Sequence, residues 1–225
     1  GQIGYMIEST LDAELMTMGA SVQKSLVSLI SYVVVDEKDP SFLNPSKPIG
    51  PFYSKEAVTA LHYPTVKTVK GYRRVVASPR PITIVEKFEI QKLIEMDFII
   101  ICCGGGGIPV MREGRTFCGV QAVIDKDLAS AKLAEEVGVD IFMIATDVEG
   151  AALRYGHPGQ QFLNKMTLKE AARYLDEGHF PPGSMGPKIQ AAMEFVRNGG
   201  KRAVIASIES IEKAVDGKAG TEIIR

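Results

Sequence analysis

Short apolar runs without polar alternation recur along the chain, and each ends in glycine or a small polar residue. They are Phe98 to Cys103 before Gly104 to Gly107, Asp140 to Ala145 before Thr146-Asp147, and Ala203 to Ala206 before Ser207. Such runs suit strands buried on both faces of a parallel sheet. Between them the period becomes helical. Thr83-x-x-Glu86 and Thr167-x-x-Glu170 are capping-box patterns, in which hydroxyl and carboxylate satisfy free N–H groups reciprocally. They predict helices running to about Met96 and stopping near Gly178. Leu128 to Val137 predicts a helix that packs through Leu128, Ala131, Leu133 and Ala134 and ends at Gly138. Pro187 to Arg197 predicts another, opened by a proline in its first turn and closed by Gly199-Gly200. Ser9 to Met18 reads as the first helix. From about Asp36 to Pro81 the texture differs: seven of the 12 prolines fall there, and long-range periodicity is lost. This stretch reads as a protruding lobe, with a short helix near Ser54 to Leu61 and a hairpin-like segment around Tyr72 to Ala77.

With 225 residues, 45% of them hydrophobic, the chain is long enough for one substantial α/β domain with a small lobe. The net charge of -1, with Lys and Arg scattered among acids, leaves no basic stripe for nucleic acid and points to small-molecule partners. The apolar runs are far shorter than a membrane span, and no charged-then-apolar signal opens the chain, so a soluble protein is expected. Adjacent Cys102 and Cys103 on a strand would point to opposite faces, which makes them poor disulfide partners. With Cys118 they read as buried thiols of a reducing compartment. His62, His157 and His179 lack metal-ligand spacing and read as structural or surface residues, and no residue is assigned as a metal ligand.

Four elements carry candidate chemistry. Gly104 to Gly107 follows a buried-strand pattern, where glycine amides can approach anionic oxygens closely; a tight turn has the same signature. It is not a Walker loop, because no Gly-Lys-Ser/Thr follows. Asp125-Lys126-Asp127 lies where a strand gives way to a helix, so that the lysine could meet a phosphate at the helix N-terminus, with both carboxylates holding it. Alone, such a triplet is ordinarily a solvated turn. Lys188 falls in the first turn of the helix opened by Pro187, where a bound anion would offset its unfavourable interaction with the helix dipole. Asp147 stands at a strand end, where it could contact nucleotide or metal or simply form a turn. No Ser/His/Asp triad and no Gly-x-Ser-x-Gly elbow occur. Lysines and glycine amides without a nucleophile suit phosphoryl transfer, in which positioning and charge neutralisation dominate.

Six segments together carry a family resemblance. They are Gly1-Gln-Ile-Gly-Tyr-Met6, Asn44-Pro-Ser-Lys-Pro-Ile-Gly-Pro-Phe-Tyr53, Gly71-Tyr-Arg-Arg-Val-Val76 with Ser78-Pro-Arg-Pro81, Cys103-Gly-Gly-Gly-Gly-Ile-Pro-Val110, Gly119-Val-Gln-Ala-Val-Ile-Asp-Lys-Asp127 and His179-Phe-Pro-Pro-Gly-Ser-Met-Gly-Pro-Lys188. In this order they closely resemble the carbamate kinases of the amino acid kinase superfamily, essentially from end to end. The resemblance implies a three-layer αβα sandwich with a mainly parallel sheet, a single domain over residues 1–225 with residues 36–81 as its lobe. It also implies a cytoplasmic homodimer, magnesium, and reversible transfer of phosphate between carbamoyl phosphate and ADP to give ATP and carbamate. Lys126 matches the family's active-site lysine, Asp127 the acid that orients the lysines, Lys188 the lysine that reaches the transferring phosphate, and Lys47 the lobe lysine that closes over substrate. By the same resemblance Gly104, Gly105 and Gly106 support the small substrate, while Asp147 and Tyr155, with Lys188, border the nucleotide.

The family pattern includes a further strand before Gly1, with a Gly-Gly-Asn loop that contributes to phosphate binding. A chain that opens here without methionine reads as truncated or recorded without its start, and it should leave unpaired strand edges and exposed apolar surface. Glu56 to Gly71 is also shorter than the pattern. Two rival readings stand beside the main one: an enzyme of the same superfamily with another acceptor, and a catalytically inactive truncated paralogue that binds nucleotide or a partner.

Overall fold

The computed structural model describes residues 1–19 and 24–225. Two compact units divide the chain, Gly1–Ala129 and Ser130–Arg225, and the division falls inside the helix Lys126–Val137. Each unit is α/β, as the alternation of apolar runs and helical patterns predicts.

In the first unit, Tyr32–Val34 and Ile108–Glu113 pair in parallel, with Thr83–Ile84 antiparallel on one side and Thr116–Gly119 antiparallel on the other. Leu26–Ser28 and Ile99–Ile101 form a separate parallel pair. The proline-rich stretch contributes a three-stranded antiparallel sheet with Gly71–Val76 at its centre, between Lys47–Tyr53 and Thr65–Thr68. Its short helix is Lys55–Val58, capped by the Ser54 hydroxyl. One isolated parallel bridge, Ala77 to Ala122, ties the end of that sheet to the segment that leads into Asp125.

In the second unit, Ile141–Thr146 and Arg202–Ser207 pair in parallel over six residues. Thr221–Ile224 runs antiparallel to the latter and parallel to Lys165–Thr167. The helix Met185–Arg197 packs on these strands through Ile189, Ala192, Phe195 and Val196, all at most 1% exposed. Burying three large apolar side chains on one helix face contributes roughly 5–9 kcal/mol against an exposed reference. The box at Thr167 forms as expected: its hydroxyl accepts the Glu170 N–H, and the Glu170 carboxylate accepts the Thr167 N–H at 2.8 Å. The helix Leu168–Asp176 follows, and Gly178 takes positive φ just beyond it.

Three local expectations are corrected. Thr83 does not cap a helix but sits on a strand, and Glu86 spends its carboxylate on the Tyr32 backbone N–H, at 2.9 Å. The helix there is Lys87–Glu95, without a side-chain cap. Pairing with the strand Tyr32–Val34 outcompetes a local box worth about 1 kcal/mol. The first helix begins at Gln2 rather than Ser9 and runs to Thr17. The Ser9 and Thr10 hydroxyls donate back to the Met6 carbonyl, the mid-helix alternative to capping. This helix buries none of its residues, and Ile3, Tyr5 and Met16 are more than 70% exposed. Finally, Cys102 and Cys103 lie just beyond the strand Ile99–Ile101, and Cys103 takes a left-handed backbone, so the alternation of a strand does not apply to them. All three cysteines are free, but only Cys103 is buried as expected, while Cys102 and Cys118 are half-buried. Hydrogen bonding with Cys103 and burial push the Cys102 thiol well above its usual range, which makes it a poor nucleophile.

Candidate active site

In the first unit, Asp125 immediately precedes the helix Lys126–Val137 and is buried. One of its carboxylate oxygens accepts the Asp127 N–H at 2.9 Å, and the Leu128 N–H bonds to the same side chain. This is the N-cap arrangement: a short acidic side chain satisfies the first free amides of the helix and meets its positive end. The other oxygen accepts Nζ of Lys47 at 2.7 Å. Burial drives the Asp125 carboxyl upward, but the hydrogen bond and charge of Lys47, with the two backbone N–H groups, outweigh it and hold the group below the usual carboxylate range.

Lys126 is the first residue of the same helix. Its side chain is 65% exposed, and Nζ lies 3.6 Å from the buried Asp127 carboxylate, an ion pair without a hydrogen bond. The expectation that both aspartates hold Lys126 therefore divides, because Asp125 is engaged with Lys47.

The glycine turn stands against this junction. Gly106 is buried with φ +102, and a Cβ built on it would overlap the Ile124 carbonyl oxygen. Gly104 and Gly105 face outward, with no atom within 4 Å of a built Cβ. The turn thus has a packed side that demands glycine and an open side that a ligand can approach. Lys47, Lys126 and Asp127 thus share one helix start, and the turn that holds Gly104, Gly105 and Gly106 reaches it through Gly106 packed on Ile124.

Asp147, Tyr155 and Lys188 belong to the second unit and line a cavity of about 250 Å³ there. Thr146 ends the strand Ile141–Thr146 and donates its hydroxyl to Asp147 at 3.1 Å, which places the carboxylate at the C-terminal edge of a parallel strand, where α/β proteins bind ligands. Lys188 is the fourth residue of the helix Met185–Arg197, and Gly186 lets the helix start close against the Pro181 carbonyl, its N–H bonded there at 2.9 Å. Sequence reasoning set His179 aside as structural, yet it lines the cavity with Phe180 and Met185. Its ring packs edge-on to Tyr174 at 5.8 Å. Its place in the His179-to-Lys188 motif was the available signal. A lining that mixes apolar side chains with a lysine, a carboxylate and hydroxyls suits a partly apolar ligand that carries negative charge.

Residues 46–207 match the amino acid kinase family. The chain belongs to that family, in its carbamate kinase branch. The carbamate kinase of Thermococcus kodakarensis is 51% identical over 230 residues, with 100% of this chain and 72% of that protein covered. That of Pyrococcus horikoshii is 49% identical, with 99% and 72% covered. Among solved structures, the Giardia lamblia carbamate kinase bound to AMP-PNP superposes with a TM-score of 0.91 at 40% identity, over 100% of this chain and 72% of that one. The α/β architecture of this family member is therefore the amino acid kinase fold. No helix among the described residues is long and apolar enough to cross a membrane.

Proposed function

We propose that this amino acid kinase catalyses the reversible transfer of phosphate between carbamoyl phosphate and ADP, yielding ATP and carbamate. The observation that carries the reading is the first-unit cluster: two lysines at the start of one helix, beside a glycine turn whose open side faces outward. A terminal ADP oxygen attacks phosphorus as the bond to the carbamoyl oxygen breaks, and carbamate leaves as an anion. The attacking oxygen is already ionised, so no general base is required, which agrees with a site built from cations and amides.

Lys126, exposed and lightly held, neutralises charge on the phosphoryl oxygens, and Asp127 restrains its ammonium. Lys47 binds the carbamoyl end, and residues 36–81 act as the lobe that carries it and excludes water from a labile substrate. Gly104, Gly105 and Gly106 shape the support for the small substrate. In the second unit, Tyr155 and the apolar side chains of the lining take the nucleoside while Lys188 and Asp147 border its phosphates.

Among the described residues no group of three or more His, Cys, Asp or Glu side chains stands together. Magnesium, which keeps most of its waters and needs few carboxylates, would accordingly be held by the nucleotide phosphates rather than by a protein cage, and would supply charge neutralisation there. We further propose that residues 1–225 act as one domain of a cytoplasmic homodimer that serves arginine metabolism.

The test is ATP formation from carbamoyl phosphate, ADP and magnesium, beside ATP consumption with N-acetylglutamate as acceptor. Turnover with the first pair alone supports the proposal. Turnover only with the second redirects it to another acceptor, and nucleotide binding without either reaction favours an inactive paralogue.

A further inference from the structure

We infer that Asp125 is the positioning residue for Lys47, fixing its ammonium at the start of the helix Lys126–Val137 where the carbamoyl end of the substrate is recognised; this rests on the phosphoryl-transfer reading above. A lysine on a protruding sheet ordinarily samples many rotamers, and an exposed ion pair does little to restrain it. This pair is built differently. Its carboxylate side chain is only 11% exposed, and both oxygens are occupied, one by the Asp127 N–H and the other by Lys47 Nζ at 2.7 Å.

The backbone on each side of the pair is tied to the same junction. Lys47 is registered against Val76, the next residue Ala77 bridges to Ala122, and the Val123 N–H donates to the Ala77 carbonyl at 3.0 Å. Two residues after Val123 stands Asp125. One carboxylate therefore links the sheet that carries Lys47 to the helix that begins with Lys126, and it sets the spacing of the two cations. Without it, a lysine brought to a helix N-terminus would meet the dipole's positive end uncompensated. Asp127 lies 3.6 Å from Lys126 on its own helix, whereas Lys47 pairs with Asp125.

The decisive experiment is a double-mutant cycle on the intact protein with Asp125→Asn and Lys47→Met, read as kcat and KM for carbamoyl phosphate and for ADP. Asn keeps an oxygen to cap the helix but presents no charge to Lys47. Asp125→Asn alone is expected to lower kcat/KM for carbamoyl phosphate at least tenfold and to leave the KM for ADP within twofold. In the Lys47→Met background the same change should cost less than twofold. An equal loss with and without Lys47 overturns the inference, because Asp125 would then act only through the helix start. A Lys47→Met protein with wild-type rates instead overturns the role of Lys47 in the proposed function, and the inference falls with it.

A readout independent of activity is the titration of the Asp125 carboxyl followed by carbon-13 NMR in the wild type and in Lys47→Met. The carboxyl should titrate at higher pH in the variant, where burial is less opposed. An unchanged titration means that the pair does not hold in solution and refutes the inference without reference to catalysis.

Discussion

Adding one methyl group at Gly106 should separate the packed side of the glycine turn from its open side. At φ +102 an L-residue pays about 1–3 kcal/mol for its backbone. A Cβ there also overlaps the Ile124 carbonyl oxygen and lies 3.1 Å from its carbon, an overpacking against backbone that costs a further 1–3 kcal/mol or so. Gly106→Ala is thus expected to lose about 2–6 kcal/mol, a large part of a typical folding free energy of about 5–15 kcal/mol. For a chain of this length that corresponds to a fall of roughly 4–24 °C in the unfolding midpoint. Gly104→Ala is the control: its φ is not left-handed and its Cβ meets nothing within 4 Å, so stability should stay within about 0.5 kcal/mol. Thermal unfolding followed by circular dichroism, with ATP formation measured in parallel, reads both. If Gly104→Ala keeps its midpoint but loses turnover, the open side is where substrate lies. A Gly106→Ala midpoint within 2 °C or so of the wild type would refute the packing argument.

Three further outcomes are expected. Lys126→Ala, at an exposed side chain, should leave the unfolding midpoint nearly unchanged while lowering the ATP-forming rate by roughly 10²–10³-fold; a rate within a few fold of the wild type removes Lys126 from the mechanism. Tyr155→Ala should raise the KM for ADP several-fold and leave that for carbamoyl phosphate unchanged, and the reverse pattern would displace the nucleotide from the second-unit cavity. Because the folded-state carboxyl of Asp125 is held below its unfolded value, near 3.9, its contribution to stability is full above that pH and is lost as pH falls through the folded value. Asp125→Asn should therefore flatten the acid limb of the stability profile below about pH 4, and an acid limb as steep as the wild type's would mean that Asp125 does not titrate in this way.

Features that close within one or two turns of chain were legible in the residues themselves. Thr167 and Glu170 cap each other, Gly138 and Gly178 end helices with positive φ, and the apolar runs ending at Ala145 and Ala206 pair as parallel strands. Each depends on neighbours three or four positions away, or on burial that composition alone signals. The Thr83 and Glu86 pattern is chemically the same as that at Thr167, yet Glu86 bonds to Tyr32, 54 positions away, because strand pairing claimed Thr83 first. For His179 the only local signal was its place in the motif that ends at Lys188, since nothing else in the sequence shows which way a loop side chain faces.

What the sequence determined by itself was the α/β class, the glycine turn and the lysines set at helix starts, together with the family they resemble. Local propensity, burial periodicity and motif order carry that much. Only the tertiary structure decided which carboxylate serves which lysine. Lys47 and Asp125 are 78 positions apart, and their 2.7 Å contact exists because the Ala77–Ala122 bridge brings sheet and helix start to one point. No spacing along a chain encodes a contact that long-range strand pairing creates.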